Sequence, residues 1–173
     1  MISFTAEECK KIINLSNALD GVIRDGINAN VERPSETISY TYYNIYSNLD
    51  TQWIFDRLYL YLDTTQKIKI NNPLNVIHLH KYNEGNLFQK HRDIYYPNQV
   101  LNVGVCLNDD YEGGEFTLFN PTEILPKKEG HIYSFKNTRF HEVTEIKKGT
   151  RYSLIAFFYK DNFKNNNTNL LWK

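Results

Sequence analysis

The sequence predicts a mainly β chain with flanking helices, an α+β fold. Helical patterns lie in its first half, and from Asn75 onward short β-branched or aromatic segments are separated by turn residues. Many short strands at such spacing are typical of an antiparallel sandwich or barrel. We therefore expect a double-stranded β-helix core, of the jelly-roll or cupin-like kind, buttressed by N-terminal helices.

The predicted helices are recognised by a cap and by apolar spacing. Thr5 and Glu8 have the spacing of a capping box, in which each side chain bonds the other residue's backbone N–H, and they open a short helix. A second helix is predicted over about 51–62, where apolar residues recur at helical spacing. Between the helices, residues 36–46 are dense in Ile, Thr and Tyr and predict a strand.

Further strands are predicted in the second half of the chain. Clusters of Gly, Asn and Asp, which favour turns, separate them. The predicted strands cover residues 75–82, 99–108, 114–119, 130–135, 141–146 and 151–159. Loops are expected near residues 25–36 and 93–98.

The domain organisation follows from the absence of any linker-like or repeated segment, so we expect a single domain over residues 1–173. Its N-terminal helical support would extend to about residue 70, and its β core would cover about 71–160. The tail over 161–173 is rich in Asn and Lys, and its Leu170-Leu171-Trp172 end could dock on the rest of the domain.

Composition and charge argue against several function classes. The 20 Lys and Arg balance the 20 Asp and Glu, so no nucleic-acid partner is expected. No apolar run approaches the roughly 20 residues of a membrane span, and the N-terminus lacks the pattern of a signal peptide. The chain has only Cys9 and Cys106, which we expect to be reduced thiols. We therefore expect a cytoplasmic protein without a membrane partner.

Three side chains form a candidate metal site. His91 and Asp93 are two residues apart, so on extended backbone both project to the same face. His141 would then come from a strand distant in sequence. Two histidines and one carboxylate on one face of Fe(II) leave positions for a co-substrate and O2, as in non-haem oxygenases. Because His-x-Asp alone arises often by chance, the alternative is a set of unrelated histidines.

Arg151 is a candidate anion-binding residue. It opens a segment that is largely apolar on both faces, so we expect it on a central strand. A buried guanidinium needs a partner, and a bidentate carboxylate is the natural one. Ser153 faces the same way and could add a hydroxyl. The partner is either an internal carboxylate, that of Glu115 or Glu145, or the distal carboxylate of 2-oxoglutarate. We favour 2-oxoglutarate because Arg151 follows the candidate metal ligand His141 closely in the sequence.

Motifs between residues 82 and 159 resemble one known family. Tyr82-Asn83-Glu84-Gly85 is similar to a Y-x-x-G segment that precedes an H-x-D motif. Residues 107–115 are similar to an L-N…E-G-G-E turn, and residues 141–143 and 148–152 to an H-E-V…G-x-R-Y ending. With this order and spacing, the chain resembles the prolyl 4-hydroxylase-like group of Fe(II)/2-oxoglutarate dioxygenases over most of its length.

The resemblance implies a set of site residues and an activity. Iron would be held by His91, Asp93 and His141, and 2-oxoglutarate would pair with Arg151 and accept a hydrogen bond from Tyr82. With O2, and with ascorbate as an accessory reductant, the enzyme would hydroxylate a prolyl residue in a peptide or protein and release succinate and CO2. Two alternatives stay open: the same chemistry on a free amino acid, nucleobase or small metabolite, and a cupin-like ligand-binding domain without turnover.

Cys106 departs from the family pattern. Several prolyl hydroxylases have a tyrosine at this position, beside the co-substrate. A thiol cannot make the hydrogen bond that a phenol makes, because it is a much weaker donor. We therefore expect the co-substrate contacts on that side to differ in this chain.

Several other polar and aromatic residues are candidates near the metal. His78 and His80 share one strand face with Tyr82, and they either bind a second metal or, as we favour, line or support the pocket. The residues considered for substrate contact are Arg33, Tyr40, Tyr42, Tyr95 and Arg139. For Tyr95 the alternative is packing within a loop, and for Arg139 it is a solvated position.

Overall fold

The structure is a computed structural model that describes residues 2–30, 33–93 and 98–163, with side chains described except at 27–30 and 33–36. The docking predicted for Leu170-Leu171-Trp172 lies outside these ranges. The same holds for the substrate contact predicted for Tyr95. Arg33 begins a strand, but its side chain is likewise outside the described part.

Two α-helices lie in the first part of the chain. The first, α1, spans Ala6–Leu15 and begins with the predicted capping box. Thr5 Oγ1 accepts from the backbone N–H of Glu8 at 3.2 Å, and the Glu8 carboxylate accepts from the backbone N–H of Thr5 at 2.8 Å. The second, α2, spans Gln52–Thr65, three residues longer than predicted at its C-terminus. Arg57 of α2 pairs with Glu8 at 2.7 Å and joins the two helices.

Short strands make up most of the remaining described chain. They are β1 (Val22–Asn30), β2 (Arg33–Tyr46), β3 (Val76–Tyr82), β4 (Leu87–His91), β5 (Gln99–Cys106), β6 (Glu112–Gly113), β7 (Phe116–Leu118), β8 (Glu123–Ile124), β9 (Ile132–Lys136), β10 (His141–Val143), β11 (Ile146–Lys148) and β12 (Arg151–Tyr159). A short 3-10 helix, Lys160–Asn162, follows β12.

The main sheet is a curled antiparallel half-barrel. Within the described residues its strand order is β8-β7-β10-β4-β2-β3-β12-β5-β9, with β1 paired to β2, while β6 and β11 form a separate pair. The central position predicted for the strand that begins at Arg151 is confirmed, since β12 lies between β3 and β5. The predicted mainly β fold with a double-stranded β-helix core and flanking helices is also confirmed.

The N-terminal part of the chain differs most from prediction. The region near 25–36, expected to be a loop, belongs to a hairpin in which Val22 of β1 faces Tyr42 of β2. Strand β2 also joins the main sheet between β4 and β3, although it lies in the region expected to be helical support. The first hairpin strand contains Gly and Asn, which have low strand propensity, so pairing across the hairpin and not local preference makes it a strand.

Strand alternation gives the sheet two chemically different faces. In β3, Ile77 and Leu79 pack in the core against the helices, while His78 and His80 face the opposite, concave side. The helix-side core also contains residues of α2, β5 and β12, namely Ile54, Phe55, Leu58, Leu62, Leu101, Val103, Val105, Leu154, Ala156 and Phe158. Each fully buried Leu or Ile contributes about 1.5–3 kcal/mol. Because this core stabilises the fold, the concave face can carry polar side chains.

None of the described helices has the length and apolar content that crossing a membrane requires. The two cysteines, Cys9 and Cys106, are both buried and unbridged, as expected for reduced thiols.

Candidate active site

The concave face of the sheet encloses a cavity of about 540 Å³, a volume that suits a small ligand. Its lining comes from strands on both sides of the half-barrel. The predicted residues His91, Asp93, His141, Arg151, Ser153 and Tyr82 all line it.

The three predicted metal ligands lie together in the lining of this cavity. His91 and His141 face each other across the β4–β10 ladder, so sheet register brings them together although they are far apart in sequence. Asp93 Oδ1 lies 3.7 Å from His91 Nε2, and Asp93 Oδ2 lies 3.5 Å from His141 Nε2. One candidate ligand atom from each residue lies within 4.8 Å of the other two. Asp93 lies two residues beyond the end of β4, outside the strand.

The imidazoles of the site are held in one tautomer by backbone carbonyls. His91 Nδ1 lies 2.8 Å from the carbonyl oxygen of Gln89, and His141 Nδ1 lies 3.1 Å from that of Arg139. A carbonyl only accepts, so in the neutral imidazole each Nδ1 carries the proton and each Nε2 presents its lone pair to the site. Such outer contacts are typical of metal-binding histidines.

Asp93 is a largely buried carboxylate that accepts from a chain of side-chain donors. The side-chain amide of Asn102 donates to Asp93 Oδ2, and Gln99 donates to Asn102 Oδ1 at 2.9 Å. Burial raises the pKa of Asp93, while His141 and Asn102 act in the opposite direction. A carboxylate that is costly to bury as an anion favours a bound cation. Asn102 and Gln99 were not identified from sequence because their strand is otherwise apolar.

We expect Asn102→Ala to weaken divalent-metal binding by about 10- to 100-fold, because it removes the donor that orients the Asp93 carboxylate. Mn(II) titration of the metal-free protein, followed by electron paramagnetic resonance, would measure this. Asn14→Ala, at an exposed position of α1, is the matched control. Equal Mn(II) affinities for the Asn102 variant and the unmodified protein would contradict the assigned role.

Arg151 lines the same cavity and is 3% exposed. Its Nη1 donates to Ser153 Oγ at 2.8 Å, and its guanidinium lies 5.3 Å from the ring centroid of Tyr82. Nε is buried without a hydrogen-bond partner. Since an uncompensated buried charge is costly, the free donor is a strong indication of an anionic ligand in the cavity.

The internal salt bridge considered for Arg151 is not formed. Glu115 accepts a hydrogen bond from Thr144, and Glu145 pairs with Lys147 at 2.7 Å. No carboxylate in the described ranges forms an ion pair with Arg151. Tyr111 and Tyr133 are instead in polar contact with its guanidinium, and neither was identified from sequence as a site residue.

Cys106 is close to this anion site but does not line the cavity. Its thiol donates to the carbonyl oxygen of Asn108 at 3.1 Å and is in polar contact with Tyr111. Burial raises the pKa of the Cys106 thiol, although Arg151 and Tyr111 act to lower it. The side chain is therefore a neutral, packed thiol, and the phenol that reaches the cavity near Arg151 comes from elsewhere.

Aromatic rings and two histidines form a continuous wall beside the metal site. Tyr40 and His80 have ring centroids 4.7 Å apart, and Tyr42 and His78 have centroids 5.3 Å apart. All four residues line the cavity. His78 and His80 were predicted to line or support it, whereas Tyr40 and Tyr42 were predicted to contact substrate. Among the described residues, the only cluster suited to a metal is His91, Asp93 and His141, so no third ligand accompanies His78 and His80.

The buried histidines of this wall are expected to make stability depend on pH. Burial lowers the pKa of His80 well below its ordinary value of about 6.5, with His78 and Arg151 acting the same way, and burial also lowers the pKa of His78. Below about pH 6.5 the unfolded chain therefore binds protons that the folded chain does not. Stability is expected to fall as pH drops below 6.5, by up to about 1.4 kcal/mol per pH unit for each such histidine.

This dependence can be measured by urea unfolding of the metal-free protein at pH 7.5 and 5.5. The His80→Gln variant should lose less stability over this interval than the unmodified protein. An equal loss in both proteins would show that His80 does not titrate as expected.

Arg139, a predicted substrate residue, does not line the cavity. Its guanidinium donates to the carbonyl oxygens of Phe119 and Pro121 at 3.2 and 2.8 Å, and it pairs with Glu123 at 3.2 Å. These contacts hold the Arg139 side chain against the turn between β7 and β8. The prediction that Arg139 meets substrate is therefore not supported by its position.

Comparisons with known proteins agree with this geometry. The model of the 2OG-Fe(II) oxygenase superfamily matches residues 77–159. No curated protein sequence matches the chain significantly.

Among solved structures, a 2OG-Fe(II) oxygenase family oxidoreductase from Burkholderia pseudomallei aligns with a TM-score of 0.72 and 16% identity, covering 94% of this chain and 83% of that one. A prolyl-4-hydroxylase from Pseudomonas putida aligns with a TM-score of 0.66 and 15% identity, covering 91% of this chain and 88% of that one. A third structure is a prolyl hydroxylase from Trichoplax adhaerens in complex with a hypoxia inducible factor oxygen degradation domain peptide fragment. It aligns with a TM-score of 0.65 and 16% identity, covering 88% of this chain and 76% of that one. At these identities the likeness shows the fold. Residues 77–159 therefore match the 2OG-Fe(II) oxygenase superfamily, and the chain shares its fold with prolyl 4-hydroxylase-like enzymes.

Proposed function

We propose that this protein is an Fe(II)- and 2-oxoglutarate-dependent dioxygenase that hydroxylates a prolyl residue in a peptide or protein, with release of succinate and CO2. The observation that carries the proposal is a single cavity lined both by a His-Asp-His cluster and by a buried arginine with an unsatisfied Nε. This pairing suits a ligand that binds a metal through one end and presents a carboxylate at the other.

The residues present fit the metal and the co-substrate that the superfamily implies. His91, Asp93 and His141 would hold Fe(II), since imidazole and carboxylate suit this metal and occupy one face of it. When bound, Fe(II) supplies the activation of O2 and the oxidation of the substrate C–H bond. Ascorbate would serve as an accessory reductant.

The other site residues would bind and orient the co-substrate. Arg151 would pair with the distal carboxylate of 2-oxoglutarate, while Ser153 and Tyr82 complete the polar surface around it. Aromatic rings pack on the two histidines: Phe88 lies 3.5 Å from His91 between centroids. Such packing fixes the imidazoles and keeps water away from the site.

A peptide or protein substrate is supported by two observations. The cavity continues from the metal site along a wall of flat, uncharged rings that includes Tyr42, His78 and Phe157, which suits an apolar ring such as that of proline. Structural relatives include prolyl hydroxylases, one of them in complex with a peptide. We propose that residues 1–173 act as one dioxygenase domain. A small metabolite is the alternative, since the cavity has the volume of a small-molecule site.

The chemistry can be tested by anaerobic titration of the metal-free protein with Fe(II) and 2-oxoglutarate. Formation of the chelate should produce a weak charge-transfer absorbance, and admission of air should yield succinate. Neither signal would appear if the domain only binds a ligand without turnover. Mass spectrometry of proline-containing peptides incubated with enzyme, Fe(II), 2-oxoglutarate and ascorbate then tests the substrate. Succinate formation without any oxygen added to the peptides would favour the small-metabolite alternative.

A further inference from the structure

Tyr133 occupies an unusual position on the concave face of the sheet. It lies on β9 directly opposite Gly104 of β5. A Cβ atom built on Gly104 would lie only 2.3–2.5 Å from Cζ, Cε2 and Oη of Tyr133. Non-bonded atoms do not approach so closely, so the phenol lies over the Gly104 backbone in space that any larger residue would fill. Glycine at this position is what admits the Tyr133 ring.

The Tyr133 hydroxyl is directed toward the anion site. The residue is 7% exposed, lines the cavity and is in polar contact with Arg151. A guanidinium only donates hydrogen bonds, so the phenol proton is not used in that contact. The hydroxyl donates to no acceptor among the residues that the structure describes. The proton of the Tyr133 hydroxyl is therefore available to a ligand in the cavity, beside the unpartnered Arg151 Nε.

The protonation state of Tyr133 supports a role as a hydrogen-bond donor to an anion. Burial raises the pKa of Tyr133 to about 12, although Arg151 acts to lower it. The group is thus a neutral phenol at physiological pH and keeps the proton that an anion would accept.

The neighbouring polar side chains are less suited to this role. The Cys106 thiol is committed to the carbonyl oxygen of Asn108, and neither Cys106 nor Tyr111 lines the cavity. Tyr82 lines the cavity but stacks with Tyr40 at a centroid distance of 5.0 Å. Tyr133, like Tyr82, is therefore a phenol of the cavity lining whose proton is available to a ligand, and Tyr133 is the one that shares space with the Gly104 backbone.

We propose that Tyr133 is a specificity-determining residue of the co-substrate site, whose hydroxyl donates to the distal carboxylate held by Arg151, and that Gly104 is glycine to admit it. This inference rests on the proposed function. The ligand it selects is a 2-oxo acid with a second carboxylate. The phenol that is missing at position 106 is thereby supplied by the neighbouring strand.

The test is the affinity of the Mn(II)-loaded protein for two ligands, measured anaerobically by isothermal titration calorimetry. The ligands are 2-oxoglutarate and 2-oxopentanoate, which has the same chain length but no distal carboxylate. We expect Tyr133→Phe to weaken 2-oxoglutarate binding by about 10- to 100-fold, the range for a hydrogen bond to a charged group. Its affinity for 2-oxopentanoate and for Mn(II) should not change.

A control and a folding check accompany this comparison. Tyr59→Phe removes a hydroxyl of α2 that bonds the Leu74 backbone and lies outside the cavity lining, and it should leave both affinities unchanged. Thermal unfolding of Tyr133→Phe would verify that the variant folds. Unchanged 2-oxoglutarate affinity in Tyr133→Phe, or equal losses for both ligands, would overturn the inference while leaving the proposed function intact. An unmodified protein that does not bind 2-oxoglutarate would overturn the proposed function and this inference together.

Discussion

His141→Ala is expected to abolish succinate formation and to remove the charge-transfer band of the Fe(II)–2-oxoglutarate complex. The reason is geometric, because among the described residues His141 supplies one of the three candidate ligand atoms that lie within 4.8 Å of each other. Loss of a residue that merely orients a ligand typically costs about 10- to 100-fold in metal affinity, so loss of the ligand itself should cost more. The variant would retain Arg151 and the walls of the cavity.

Metal affinity can be measured by Fe(II) titration under anaerobic conditions, and turnover by succinate release. His131→Ala is a suitable control because His131 lies outside the cavity lining and outside the metal cluster. Near-normal succinate formation by His141→Ala would contradict the assignment of the metal site. Circular dichroism of both variants would separate loss of the metal from loss of the fold.

Arg151→Met is expected to weaken 2-oxoglutarate binding by roughly 100-fold or more, because it removes a charged donor aimed at a carboxylate. The same change should leave the stability of the ligand-free protein unchanged or raise it by about 1–4 kcal/mol. Arg151 is 3% exposed, and no described carboxylate compensates its charge. Replacing a costly buried charge with an apolar side chain of similar volume removes its desolvation penalty. Opposite effects on binding and on stability are the signature of a residue kept for function.

These two quantities can be measured on the same preparation. Urea unfolding without metal or co-substrate reports stability, and calorimetric titration of the Mn(II)-loaded protein reports affinity. Arg57→Met is the matched control, since Arg57 pairs with Glu8 at 2.7 Å and is not part of the cavity lining. It should change stability by about 1 kcal/mol or less and leave affinity unaltered. A strongly destabilised Arg151→Met with normal 2-oxoglutarate affinity would show that Arg151 has a structural role instead.

Local patterns in the chain predict much of the fold. The capping box at Thr5 is formed, and the strand predicted over 151–159 has those bounds in the structure. Both signals depend on near neighbours: a side chain reaching backbone three residues away, and a largely apolar run rich in aromatic residues. The hairpin strand Val22–Asn30 was not predicted, since its pairing to β2 and not its composition makes it extended.

The same distinction applies to the site. His91, Asp93, His141 and Arg151 are recognisable from residue type and spacing, and the fold brings all four to one cavity. The partners that complete the site were not recognisable. Asn102 and Tyr133 lie in strands whose sequences indicate only that they are buried, so nothing local shows which of their side chains meet Asp93 or Arg151.

The sequence by itself therefore determined the type of fold, the ligand types for the metal and the need of Arg151 for an anion. Strand period and residue chemistry are local properties that survive without coordinates. The tertiary structure alone decided that Arg151 has no internal carboxylate partner, that Arg139 points away to a turn, and that Gly104 leaves its space to a tyrosine. These facts depend on register across strands distant in sequence, and one-residue shifts of register would reverse each of them.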